Sequence, residues 1–98
     1  MIITFDPSKR NRTLEQRGLD FASDAARVFT GLHTDFDAGG RDYGETRLIT
    51  AGWLDGRMVM IVWTQRGRAR HVLSMRYCHA KEVRKILSAF PEIALDRS

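Results

Sequence analysis

The stretch Glu45-Thr46-Arg47-Leu48-Ile49-Thr50-Ala51-Gly52-Trp53-Leu54-Asp55-Gly56-Arg57-Met58-Val59-Met60-Ile61-Val62-Trp63-Thr64-Gln65 decides the fold. Two runs rich in β-branched and aromatic residues flank Asp55-Gly56, a dipeptide that readily supplies the positive φ angles of a two-residue hairpin turn. Such a turn sets the register: Leu54 opposes Arg57, Trp53 opposes Met58, and Ile49 opposes Val62. A second turn near Gly67 leads into a further strand, Ala69–Tyr77. Alternation then sorts the sheet into two faces. One carries Ile49, Ala51, Trp53, Met58, Met60, Val62, Leu73 and Met75, and is expected to be the core under the helices. The other carries Thr50, Arg57, Val59, Ile61, Trp63, Arg70, Val72, Ser74 and Arg76, an apolar floor edged with arginines and hydroxyls, and is expected to be an open binding face. A two-residue turn at Arg66-Gly67 or Gly67-Arg68 gives this assignment. A three-residue loop inverts the last strand and puts His71 on the open face.

Working towards the N-terminus, Asp35 to Gly44 reads as an acidic, glycine-containing loop, with His33–Phe36 as a short edge strand. Before it, Phe21, Ala25, Val28 and Phe29 recur at helical spacing behind Asp20, a capping residue, and Gly31 ends the helix. Asp6-Pro7 is an N-cap followed by a first helical residue, and Gly18 a left-handed C-cap, so a helix runs between them. It is polar almost all round, with Lys9, Arg10, Arg12 and Arg17, and belongs to the surface. Met1–Phe5 is a short apolar strand. Towards the C-terminus, Val83, Ile86, Leu87 and Phe90 mark an amphipathic helix that Pro91 limits, and the last few residues are expected to fray.

Ninety-eight residues, with 43% hydrophobic and 29% charged, fit one soluble domain, residues 1–98, with no room for a second core. The lone Cys78 excludes an internal disulfide and reads as a small buried apolar residue. Neither a membrane span nor a signal-peptide profile is present, so the expected location is the cytoplasm. No residue set has metal-ligand spacing, and neither a metal nor another cofactor is expected.

Net charge is only +4, yet between Arg57 and Lys85 eight Lys/Arg face one acid, Glu82. Cations concentrated on strands favour a polyanion, and nucleic acid is the commonest one. Arg70 and Arg76 can each bind a phosphate bidentately. Trp63 is the better of the two tryptophans for stacking on a base. His71 is the proton-transfer candidate near neutral pH, ahead of His33 and His79. Glu45 and Arg47 share a face as a carboxylate and a cation. Glu82 stands in the first turn of the last helix, where the helix dipole favours it.

Phe5-Asp6-Pro7-x-Lys9-x-Asn11, Gly18-x-x-Phe21, Glu45-x-Arg47 with Gly52, Val62-Trp63-Thr64-x-Arg66-Gly67, Ser74-x-Arg76 and Glu82 occur in this order. Together they resemble the BrnT family, the ribonuclease toxins of bacterial type II toxin–antitoxin pairs, over about Ile3 to Arg84. The resemblance implies an α+β, RelE-like fold: a small twisted antiparallel sheet packed by two N-terminal helices and one C-terminal helix. It also implies RNA cleavage that inhibits translation, by metal-free transesterification. The implied partner is a BrnA-like ribbon-helix-helix antitoxin, through which alone the complex binds promoter DNA. Carried onto this chain, Arg47 and Arg76 stabilise the transition state, His71 or Glu45 is the base, and Glu82 orients. Lys9, Arg66, Arg68, Arg70, Ser74 and Trp63 bind RNA.

Arg47 falls on the predicted core face and Arg76 on the open one, so register and constellation conflict. Two departures bear on activity. Many relatives carry Lys-His-Gly where this chain has Gln16-Arg17-Gly18, and many a tyrosine where it has Ile86. Three functions follow: a toxin ribonuclease, a weak or inactive relative that binds antitoxin or nucleic acid, and a plain nucleic-acid-binding domain without an antitoxin.

Overall fold

The computed structural model describes residues 1–42 and 44–95, with only the backbone described at residues 40–42. In chain order the elements are β1 (Ile2–Phe5), α1 (Pro7–Arg17), α2 (Ser23–Thr30), β2 (His33–Asp42), β3 (Glu45–Leu54), β4 (Arg57–Arg66), β5 (Ala69–Tyr77), α3 (Ala80–Ala89) and a 3-10 turn at Pro91–Ile93. The five strands form one sheet in the order β1-β5-β4-β3-β2. The expected fraying falls on residues 96–98, outside the described residues.

Local chemistry places α1 as read. Asp6 accepts from Ser8 N at 2.9 Å, Pro7 opens the helix, and Gly18 closes it at φ 68°. Asp20 works slightly differently from the cap expected. It accepts from Ala22 N at 2.8 Å and donates its own backbone N–H to Asp24 at 2.9 Å, turning the chain ahead of α2. Arg10 adds a two-pronged bond to Asp20 at 3.2 and 2.9 Å, holding α1 to this turn.

The β3–β4 register is the one that Asp55-Gly56 dictates: Leu54↔Arg57, Trp53↔Met58, Ile49↔Val62. Two expectations about the sheet are corrected. The segment assigned to a loop after Phe36 is mostly strand, because β2 pairs with β3 through Asp37 and again at Arg41 and Asp42, either side of an irregularity. Gly39, at φ 81°, lies in that irregularity, and its N–H bonds Asp37 at 2.8 Å. Tyr43, the remainder of that loop reading, lies outside the described residues. The sheet is also mixed rather than antiparallel, since β1 pairs with β5 in parallel, Ile2↔Ala69 to Phe5↔Val72.

The larger correction concerns the faces. The β4–β5 turn is a two-residue one, with Arg66 opposite Ala69, and Trp63 opposite Val72. Then the register slips by one: Val62 faces Ser74, leaving Leu73 as a β-bulge. Beyond it every side chain of β5 changes face. Met75 and Tyr77 join Val59, Ile61, Trp63 and Val72, while Ser74 and Arg76 join Val62 and Met60.

Both faces are covered, not one. The face expected to be open is the main core: Val59, Ile61, Trp63, Val72 and Met75, at most 4% exposed, cluster with Leu19, Phe21, Ala25, Val28 and Phe29. On the opposite face Ala51, Met58, Ile86 and Ile93 form a second cluster, joined by Phe36, Trp53, Met60, Val83, Leu87 and Phe90. Trp53 pins the 3-10 turn there by donating to Ile93 O at 2.7 Å.

Gly52 permits α2 to lie this close. A Cβ on it would stand 2.8 Å from His33 Cβ and 2.9 Å from Val28 Cγ1. Gly52→Ala is expected to destabilise the fold by about 1–3 kcal/mol through overpacking, read as a lowered urea midpoint with unchanged slope.

Candidate functional site on the half-covered face

The bulge removes the conflict between Arg47 and Arg76. Paired residues share a face, so the register lays out cross-strand rows on the side that carries α3. One row is Arg47, Thr64, His71 and Thr4; the next is Ile49, Val62 and Ser74; the third is Ala51, Met60 and Arg76. The second helical cluster covers the third row. Ile49 and Val62 stay half-buried and outside that cluster. Arg47, His71, Ser74 and Arg76 therefore surround a small apolar floor. His71 and Arg76, whose partners Thr64 and Met60 lie four residues apart on β4, are about 13 Å apart at the backbone.

Arg76 reaches α3, where Nη1 donates to Glu82 Oε1 at 2.8 Å and Nη2 to Oε2 at 2.6 Å. Nη2 also touches Met60 Sδ at 3.6 Å. Glu82 further accepts from His79 N at 3.0 Å, so one carboxylate begins the helix and holds the guanidinium. The Arg76 hydrogen bonds, then the His79 amide, pull the Glu82 carboxyl down to about 2. At neutral pH Glu82 accepts hydrogen bonds and has no proton to give.

His71 Nδ1 lies 2.8 Å from Thr4 Oγ1, a bond made possible by the parallel pairing Thr4↔His71. Burial first, then the charge of Arg66, pushes the His71 pKa below the usual imidazole value, with Lys9 adding to it. The ring is therefore neutral at pH 7, and in the tautomer whose Nδ1–H donates to Thr4, Nε2 is the nitrogen that takes a proton.

The remaining expected residues divide. Arg66 holds Glu45 through bonds of 3.1 and 3.3 Å, on the same face as Arg47. Arg68 is exposed in the β4–β5 turn, and Gly67 there has φ 58°. Lys9 and Ser74 line a cleft of about 180 Å³ between α1 and β5. Two residues leave the binding face altogether. Trp63 is 4% exposed and donates to Thr50 Oγ1 at 2.8 Å, so it offers no ring to a base. Arg70 lies on the same α2-covered side, its guanidinium 4.6 Å from the Phe29 ring and 4.8 Å from Trp63. Both corrections have one cause: α2 and the turn before it pack on the face expected to be open.

Thr4 escaped sequence reasoning, and of Arg17 only its place on the cationic surface of α1 was read. Arg17 crosses from α1 to donate to Met75 O at 2.8 Å, and no local pattern signals either contact. Burial pushes the Cys78 thiol up to about 11, in keeping with its reading as an apolar residue. Ile86 is 7% exposed in the second cluster. Among the described residues no group of three or more His, Cys, Asp and Glu is placed to hold a metal. Nor, among them, is any helix long and apolar enough to cross a membrane.

Fold and face together define a class: a small α+β domain presenting cations and a neutral imidazole across an open part of its sheet. The comparison with known families narrows it. A family model described as the ribonuclease toxin, BrnT, of type II toxin–antitoxin systems matches residues 5–82, so the chain belongs to the BrnT family. Membership brings with it an RNA substrate and an antitoxin partner. No curated protein matches the chain.

The depressed Glu82 pKa makes an acid-stability prediction. A carboxyl ionised down to about 2 when folded, against its ordinary 4.5, adds stability that is complete above 4.5 and lost as pH falls towards 2. Glu82→Gln is expected to flatten that part of the profile, with thermal melts at pH 6 and pH 3 as the measurement. Equal pH dependence in both proteins refutes the assignment.

Proposed function

We propose that the protein is a toxin of RelE-like fold that cleaves RNA without a metal and so inhibits translation. Its inhibitor is a BrnA-like ribbon-helix-helix antitoxin, and the complex reaches promoter DNA only through that module. The observation that carries the reading is the shared face of Arg47, His71, Ser74 and Arg76, produced by the bulge at Leu73.

On that face His71 Nε2 takes the proton of a 2′-hydroxyl, in the tautomer whose Nδ1–H donates to Thr4 Oγ1. The 2′-oxygen attacks the adjacent phosphorus as the bond to the 5′-oxygen breaks, leaving a 2′,3′-cyclic phosphate. Arg47 and Arg76 donate to the non-bridging oxygens as their charge grows. Glu82 aims Arg76. The leaving 5′-oxygen takes its proton from water, since Arg17 and Ile86 stand where many relatives carry a histidine and a tyrosine.

A second reading, an antitoxin- or nucleic-acid-binding relative with little or no cleavage, draws on the same position. Ile86 is packed into the apolar cluster and supplies no hydroxyl to the leaving group.

Cleavage of a defined RNA by antitoxin-free protein, with chelator and with or without ribosomes, separates the two. The toxin reading expects metal-independent cleavage, reduced about 10²–10³-fold in Arg76→Ala and about 10²–10⁴-fold in His71→Ala. Folded wild-type protein that cleaves in neither setting favours the second reading.

The pH dependence is a separate check. A base with a lowered pKa works above that pKa and is lost as pH falls through it, so the acid limb of kcat/KM is expected below the usual histidine value of 6.5. A limb above 6.5, or one that survives in His71→Ala, assigns the base elsewhere.

A further inference from the structure

The parallel strand β1 ends at Phe5, opposite Val72, while β5 continues to Tyr77. From Leu73 onward β5 is therefore flanked on that side by helix α1 rather than by a strand. The gap between them is the cleft of about 180 Å³, lined by Lys9, Arg12, Thr13, Arg17, Leu73 and Ser74 among others, none of them acidic.

Three cations and two hydroxyls facing one cleft form an unneutralised positive site. Lys9 and Arg12 make no hydrogen bond or ion pair with the described residues. Arg17 is held in place by its bond to Met75 O and retains further N–H groups. Ser74 belongs both to this cleft and to the row of Ile49 and Val62, so the cleft adjoins the face where His71 and Arg76 stand. Its partner Val62 is two residues from that of His71 on β4, about 7 Å along the strand.

We propose that this cleft is a second phosphate subsite, binding an RNA backbone phosphate next to the one held between His71 and Arg76. Lys9 and Arg12 contact it directly, Arg17 fixes its position, and Ser74 links the two subsites. The proposal rests on the ribonuclease reading for the identity of its ligand, but its binding test does not require cleavage. The subsite reads backbone charge rather than base identity, and so lengthens the footprint on RNA without adding sequence preference.

The test is binding of a 2′-O-methyl oligoribonucleotide, which cannot be cleaved by this chemistry, followed by fluorescence anisotropy from low to high salt. Wild type is compared with Lys9→Gln/Arg12→Gln and with Arg84→Gln, an exposed α3 position that removes charge outside the cleft. Each lost single-strand phosphate contact lowers the slope of log K against log salt by about 0.7. The double variant is expected to bind more weakly with a slope shallower by about that amount, while Arg84→Gln keeps the wild-type slope. A double variant with wild-type affinity and slope overturns the subsite, as does an equal effect from Arg84→Gln. A shallower slope in the double variant with no cleavage by wild type leaves the subsite standing and removes the ribonuclease reading.

Discussion

The insertion of a single residue, Leu73, into β5 controls the chemistry that this sheet presents. Without it, strict alternation places Ser74 and Arg76 beneath α2, among Ile61, Trp63 and Phe29. That side already holds the Arg70 guanidinium against Phe29 and Trp63, its Nη1 buried without a hydrogen-bond partner among the described residues, and a second guanidinium there is desolvated in turn with no carboxylate to meet it. With the slip, Met75 enters the core at 0% exposure, and Arg76 emerges where Glu82 of α3 meets it with two bonds. Core packing and site assembly thus have the same geometric origin.

Charge is distributed with the same economy. The chain's cluster of arginines reads as one basic patch, but its members have separate structural duties. Arg70 lies against Phe29 and Trp63, Arg57 sits 3.7 Å over the Tyr77 ring, and Arg66 holds Glu45. Guanidinium groups suit these places because they stack on aromatic rings and bind carboxylates two-pronged while staying charged. The field they create also matters for a neighbour, because the positive charge of Arg66 helps to keep His71 neutral. A basic surrounding and a neutral imidazole are therefore consequences of the same arrangement.

Much of the fold was legible because the relevant forces are local. Asp55-Gly56 fixed the β3–β4 register residue for residue, Asp6-Pro7 and Gly18 bounded α1, and the Phe21, Ala25, Val28 and Phe29 stripe identified what α2 buries. The β2 strand was not legible beyond Phe36, because glycines and aspartates there pair through backbone groups that residue type does not advertise. The parallel β1 and the Thr4 contact with His71 depend on chain segments far apart. The bulge left a trace: Val72 and Met75 are both core-type residues three apart, an odd spacing that unbroken alternation cannot place on one face. Residue chemistry singled out Arg70, Arg76, Trp63, His71, Glu82 and the Glu45–Arg47 pair, and family resemblance supplied their expected roles. The register then placed four of them on one face and sent Arg70 and Trp63 to the other.

The pairing of Thr4 with His71 spans 67 residues of chain. Contacts this distant in sequence cost much chain entropy before they return any stabilisation, which slows folding. The imidazole gains its Thr4 contact only once β5 exists with β1 beside it, and Arg76 finds its carboxylate only once α3 follows. The chain through β4 already supplies most of the buried apolar residues, yet it holds neither of these two contacts.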